Sequence, residues 1–209
     1  MRPLALAALA ALVFSVPALA QPTFGVKAGL NVTSFSGDDA EGSEARLGFV
    51  GGLTATVPFT PTVGLQIEAL YSQAGEEYLN SADLVEETRI DYLQIPAAVR
   101  LGLPVSPTLD AGVSLGGYVG VPLRGEVEVD GTFENDLDLN TDFGGLIGVD
   151  VGSGPFFVDA RYSFGLTNAI ERDPGFVDSE GFVILDPDKK NQIVSLTFGY
   201  RFGGGYNRY

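Results

Sequence analysis

The sequence predicts an all-β chain, an eight-stranded antiparallel up-and-down transmembrane β-barrel, and three observations carry that expectation. Apolar residues alternate with small or polar ones over runs of about nine to eleven residues, the length that a tilted membrane strand needs. The connections between these runs are alternately long and short. The ionisable residues outside the long connections fall on the small-residue face of the runs, not on the apolar one.

Taken in order, the chain opens with Arg2, an apolar stretch from Leu4 to Val16, and Ala18-Leu19-Ala20 as a small-residue cleavage site. This predicts a secretory signal peptide over 1–20 and a single barrel domain over 21–209. The alternating runs are Phe24 to Val32, Leu47 to Val57, Val63 to Gln73, Asp91 to Leu101, Leu109 to Val121, Phe143 to Val151, Phe156 to Leu166 and Gln192 to Phe202. Pro96 offers no N–H to a ladder, so a local bulge is expected there. Leu146 breaks the alternation of its run.

The last run shows the pattern most plainly. Val194, Leu196, Phe198, Tyr200 and Phe202 share one face, and Ser195, Thr197, Gly199 and Arg201 share the other. A period of two is that of a strand, and the small, polar second face suits a crowded barrel interior. The run resembles the C-terminal targeting strand of bacterial outer-membrane proteins, which closes on Tyr-x-Phe, although GGGYNRY follows it here. That resemblance implies Phe198, Tyr200 and Phe202 as the targeting residues and the barrel-assembly machinery as a partner during biogenesis.

Three connections are short and uncharged: Pro58 to Thr62, Gly102 to Pro107 and Gly152 to Pro155. Four are long and acidic: Ser36 to Arg46, Ala74 to Ile90, Pro122 to Asp142 and Thr167 to Asn191. Short periplasmic turns and long external loops, with both termini on the turn side, produce this alternation. Within the third loop, Asp130-Gly131 between alternating residues signals a hairpin expected to extend strands five and six beyond the membrane.

The charges on the small face are Lys27, Glu68, Arg100, Asp110, Asp150, Asp159, Arg161 and Arg201, four basic and four acidic. A charge facing lipid at mid-depth costs about 2–4 kcal/mol, so their sorting supports the assigned faces. An eight-stranded interior is just wide enough for side chains to fill. A salt-bridged plug is the expected role of the cluster, with a narrow ion or proton path as the alternative. A soluble lipocalin-like barrel is the architectural rival, but it would turn glycines and isolated opposite charges to water.

Composition removes several classes of function. With 12 Lys+Arg against 27 Asp+Glu and a net charge of −15, the chain has little with which to neutralise phosphates, so no nucleic acid is expected. It has no cysteine and no histidine. Disulfide scaffolds, zinc sites with thiolate or imidazole ligands and histidine-dependent acid–base chemistry are therefore excluded. Gly112-Val-Ser114-Leu-Gly116 matches the G-x-S-x-G nucleophile motif, but it lies inside a strand run and has no histidine base.

Acidic residues crowd the loops: Asp38, Asp39, Glu41 and Glu44, then Glu126, Glu128, Asp130, Glu134, Asp136 and Asp138, then Asp173, Asp178, Glu180, Asp186 and Asp188. None has EF-hand spacing, so no metal site is assigned, and bridging by divalent cations to lipopolysaccharide is the softer expectation. Phe24, Phe156, Tyr200 and Phe202 are expected near the periplasmic interface, and Phe49, Tyr71, Phe143 and Phe164 near the external one.

The segments GLQIEALYSQAGEEY (64–78), DYLQIPAAVRLG (91–102), AGVSLGGYVG (111–120), ARYSFGLTN (160–168) and SLTFGYRF (195–202), in this order and spacing, resemble the PorT-type outer-membrane β-barrel family of Bacteroidetes-like bacteria. The resemblance implies an integral outer-membrane barrel and, from the founding members, an accessory role in protein export. The expected protein is thus a non-enzymatic barrel in the cell outer membrane, monomeric and without cofactors, in contact with membrane lipid and lipopolysaccharide. A structural or surface-interaction role, a PorT-like partnership with secretion-system proteins and a narrow pore for small ions all remain open.

Overall fold

The computed structural model describes residues 21–36, 43–79, 85–129, 132–134, 138–172 and 189–202. The expected signal peptide, the tail after Phe202 and most of the loop carboxylates lie outside the described residues. Eight strands build the barrel: β1 Thr23–Ser36, β2 Ser43–Pro58, β3 Val63–Leu79, β4 Val85–Pro104, β5 Leu109–Val129, β6 Asp142–Ser153, β7 Phe156–Gly165 and β8 Lys190–Phe202. Each pairs antiparallel with its neighbour in sequence. The last strand then closes on the first, Phe24 opposite Phe202 and Ser36 opposite Lys190, in unbroken register. Closure satisfies backbone groups that lipid could not, which an open sheet edge would leave unmet.

The alternation is an inside–outside alternation. In β1, Phe24, Val26, Leu30 and Val32 are exposed, while Lys27, Asn31 and Thr33 are buried in the lumen. In β8, Val194, Leu196, Phe198, Tyr200 and Phe202 face outward, and Ser195 and Thr197 inward. Ordinary rise and tilt make the resulting apolar band about 20–25 Å tall, matching a barrel's lipid-facing belt. At its turn end Phe156 stacks on Phe198 with centroids 5.7 Å apart and meets Tyr200 edge-on at 5.4 Å, and Tyr200 meets Phe202 at 5.3 Å.

Several boundaries differ from the expectation, all for one physical reason. Much of the sequence assigned to the first three long loops is strand: β1 runs on to Ser36, β3 to Leu79, β4 starts at Val85 and β5 reaches Val129. Beyond the membrane the outward face meets water and loses its apolar residues, so pairing continues after the period of two has faded. Asp130 and Gly131 lie outside the described residues; β5 pairs with a three-residue strand, Thr132–Glu134, with Val129 opposite Thr132, but β6 starts separately at Asp142. Another short piece, Asp138–Leu139, pairs with Ile170–Arg172. Leu166 lies just past β7, which ends at Gly165.

Pro96 is not a bulge. The β3–β4 register is the same on both sides of it, Ile67 opposite Ala97 and Leu70 opposite Gln94, and only the pairs between them are missing. The bulge falls instead where Tyr92 pairs with Pro122 and Asp91 with Arg124, leaving Leu123 as the extra residue. A further shift separates Ala45 from Val50 on β2, opposite Gly75 on β3. Gly75 has φ 140°, a conformation that L side chains rarely adopt.

Candidate functional site: the charged lumen

The eight lumen charges named from the sequence come together as two separate sets of four. The inner set joins β1, β3 and β7. Lys27 Nζ lies 2.9 Å from Glu68 Oε1 and 3.0 Å from Asp159 Oδ1. Arg161 grips Glu68 with two N–H groups, at 2.6 and 3.2 Å, and stands 3.6 Å from Asp159. Gln66 Nε2 donates to Glu68 Oε1 at 2.6 Å, and Thr197 Oγ1 donates to Asp159 Oδ1 at 3.4 Å. All four charged side chains are at most 5% exposed.

The second set joins β4, β5, β6 and β8 at the turn end. Arg100 donates to both oxygens of Asp150, at 2.8 and 2.5 Å, and to Asp110 at 2.9 Å. Arg201 stands 3.4 Å from both Asp110 and Asp150 and lies over the Phe157 ring at 4.7 Å. Each set holds two cations and two anions, so each is neutral. Together they tie seven of the eight strands across the lumen, all except β2. In a water-poor interior an unpaired charge costs several kcal/mol, and mutual pairing makes the eight charges tolerable there, although the buried Arg161 Nε has no acceptor.

Small residues make the room. A Cβ on Gly112 would sit 2.5 Å from Asp150 Oδ1 and 2.6 Å from Arg100 Nε. One on Gly152 would sit 2.7 Å from Asp110 Oδ1 and 2.8 Å from Arg201 Nη1, and one on Gly199 would enter the Phe157 ring. The G-x-S-x-G match is part of this packing. Gly112, Ser114 and Gly116 lie in the body of β5, and the buried Ser114 Oγ is 2.7 Å from where a Gly148 Cβ would be.

Above the inner set, neutral polar and apolar groups alternate with a few further charges. Asn31 donates to Ser72 Oγ at 3.0 Å and accepts from Ser195 at 2.8 Å. Ala98, Tyr118 and Leu146 pack together, so the outlier Leu146 fills the interior. Next come Asp142, Tyr92 and Asn191. At the external mouth Phe35, Ala74, Ile90, Tyr92, Ala169 and Ile193 form a buried cluster against which Leu139 packs. Lys189 lies beside it, 2.5 Å from Glu76 and over the Phe35 ring.

Phe157, Asp142, Asn191, Arg46 and the Lys189–Glu76 pair are among the lumen residues that sequence reasoning missed. Phe157 and Asp142 share the parity of the inward residues on their strands, which could have found them. Glu76 and Lys189 were assigned to loops, where no period marks a face. Of the acidic loop groups, Glu44, Glu126, Glu128, Glu134 and Asp138 fall in described strands, and Glu126 is buried and paired with Arg124. Among the described residues no three acidic side chains gather as a metal site would require.

A closed barrel of eight antiparallel strands with an apolar outward face and a charged lumen defines a class, the integral outer-membrane β-barrel proteins. More particularly, the chain belongs to the family described as outer membrane protein beta-barrel domain, which it matches over residues 6–202. The Neisserial surface protein A structure is 12% identical, covering 87% of this chain and 99% of that one with TM-score 0.50, a likeness of fold alone. The outer membrane protein OprG from Pseudomonas aeruginosa is 12% identical over 88% of this chain and 98% of its own, TM-score 0.49. Ail, the attachment invasion locus protein of Yersinia pestis, in complex with a heparin analogue, is 15% identical over 87% and 99%, TM-score 0.46. No curated protein matches the chain in sequence.

Proposed function

We propose that this chain is a non-enzymatic outer-membrane barrel whose lumen is a structural plug and whose work is done at the cell surface. The observation that carries this reading is the pair of neutral, four-charge sets, which span the lumen and hold seven strands together. Above them the apolar cluster fills the external mouth. A path for ions needs polar groups with exchangeable partners, whereas each charge of the two sets is held by opposite charges. The strands that rise past the membrane, β3 to Leu79 and β5 to Val129, support the acidic loops away from the lipid. The loops face lipopolysaccharide and the outside medium, with divalent cations as bridges.

The N-terminal 20 residues serve as a signal peptide, and Phe198, Tyr200 and Phe202 on β8 present an aromatic signature to the barrel-assembly machinery. The finished barrel is a monomer. A second reading, a PorT-like accessory role in protein export, rests on the segments over 64–78, 91–102, 111–120, 160–168 and 195–202. Crosslinking of cells that produce a tagged chain, followed by detergent extraction, tests the two. Recovery of the barrel alone or with lipopolysaccharide is expected. A stoichiometric set of periplasmic or secretion proteins would replace the first reading with the second.

A further inference from the structure

Two of the three short turns are built to one design. Val57-Pro58-Phe59-Thr60-Pro61-Thr62-Val63 joins β2 to β3, and Leu103-Pro104-Val105-Ser106-Pro107-Thr108-Leu109 joins β4 to β5. The order apolar, Pro, apolar, hydroxyl, Pro, Thr, apolar thus occurs twice. The backbones match as well. Phe59 N and Thr60 N both donate to Val63 O, at 2.8 and 3.0 Å, and Val105 N and Ser106 N both donate to Leu109 O at 3.0 Å. Thr60 Oγ1 accepts from Thr62 N at 3.3 Å and Val63 N at 2.9 Å. Ser106 Oγ does the same for Thr108 N at 3.4 Å and Leu109 N at 3.1 Å. Gly102 N donates to Thr62 O at 2.7 Å and ties the foot of β4 to the first turn.

Turns that face water usually draw on Gly, Asn and Asp. These two hold none over 58–63 and 104–109, and no charge either. Their prolines have no N–H, and every other N–H over the same residues has an acceptor within its own turn. Their apolar side chains are turned out instead: Phe59 is 61% exposed, Leu103 57% and Val105 60%. These residues continue the outward alternation of the belt, Val57 to Phe59 on one side and Leu101 to Leu103 to Val105 on the other. The lipid-facing surface therefore runs into both turns without a polar break. A backbone with no donor left over, no charge and an apolar tip are what a poorly hydrated lipid interface demands of a connection. A protein partner would be better met by charges and open backbone donors.

We propose that the twin turns are seated in the periplasmic leaflet, with Phe59, Leu103 and Val105 among the upper acyl carbons. The exposed hydroxyls of Thr60, Thr62, Ser106 and Thr108 donate to phospholipid ester and phosphate oxygens. The barrel is thereby anchored on its β2–β5 side, opposite the aromatic cluster of β7 and β8. This goes beyond the plug reading and does not depend on it. The chain has no cysteine, so Phe59→Cys, Val105→Cys and the mid-belt Leu115→Cys each give one labelling site. Each full barrel is labelled with a nitrobenzoxadiazole dye and folded in phospholipid vesicles, where lipids brominated near the head or the methyl end of the acyl chain read its depth. Both turn labels should lose emission mainly to head-end bromine, and the Leu115→Cys label mainly to methyl-end bromine. A dye can draw its own site into lipid, so the bare thiols give a second reading with iodoacetamide, which crosses bilayers. Both side chains are exposed on the barrel, so lipid is what slows the reaction, by disfavouring the thiolate. At both sites alkylation should be roughly tenfold or more slower than in the urea-unfolded chain. Rates within about twofold of the unfolded chain, or turn labels that neither bromine quenches, would overturn the proposal and leave the turns to a protein of the periplasm.

Discussion

Glu68→Gln removes one charge from the inner set and keeps nearly the same volume. Glu68 meets Lys27 at 2.9 Å and Arg161 at 2.6 and 3.2 Å, so the substitution leaves two buried cations sharing Asp159. Breaking a buried pair on one side costs about 3–5 kcal/mol, most of it the penalty of the charge left behind. With a urea slope of about 2–3 kcal/mol per molar, the unfolding midpoint should fall by about 1–2.5 M. The chain has no tryptophan, so the transition is best followed by tyrosine fluorescence and by the gel mobility of the folded barrel. Adding Lys27→Met restores neutrality and leaves Arg161 with Asp159. The double variant should therefore lose less than the sum of the singles, with a coupling of about 0.5–3 kcal/mol. A single variant within about 0.5 kcal/mol of wild type, the range of an ordinary surface change, would refute the reasoning. So would strict additivity.

Other substitutions probe the faces of the wall. Gly112→Ala pushes a methyl into Arg100 and Asp150 and should cost about 1–3 kcal/mol by the same unfolding assay. Gly117→Ala, whose Cβ would meet only Gly144 O at 3.1 Å on the lipid side, should stay within about 0.5 kcal/mol. Leu115→Arg places a charge on the middle of the lipid face and should cost about 2–4 kcal/mol, whereas Phe59→Arg in the first short turn should cost no more than about 1 kcal/mol in the same vesicles. Phe157→Ala empties the space under Arg201 and should cost about 3–5 kcal/mol, measured by urea unfolding.

The barrel was legible in the sequence wherever the surroundings of a strand differ on its two sides. Lipid against lumen gives Phe24-Gly25-Val26-Lys27 its period, and the same contrast is what assigned the eight charges to the small face. It could not say which charges meet. Lys27, Glu68 and Arg161 are far apart in the chain, and only the register that brings β1, β3 and β7 around the lumen divides eight charges into two sets. Legibility ended at the membrane's outer edge. Arg89 and Glu126 sit opposite each other in the β4–β5 ladder, yet water replaces lipid there and the apolar face that would have marked a strand is gone. Asp142 escaped notice because it lies at that border, one residue before the belt begins at Phe143.

The central claim is that paired side chains close the lumen, and single-channel recording of the purified wild-type barrel in planar bilayers tests it most directly. The account predicts a silent membrane at steady voltage, with step currents appearing when Lys27, Glu68, Asp159 and Arg161 are all replaced by alanine together with Arg100, Asp110, Asp150 and Arg201. Reproducible, steady conductance steps from the folded wild-type barrel would contradict it and make the charges the lining of a pore.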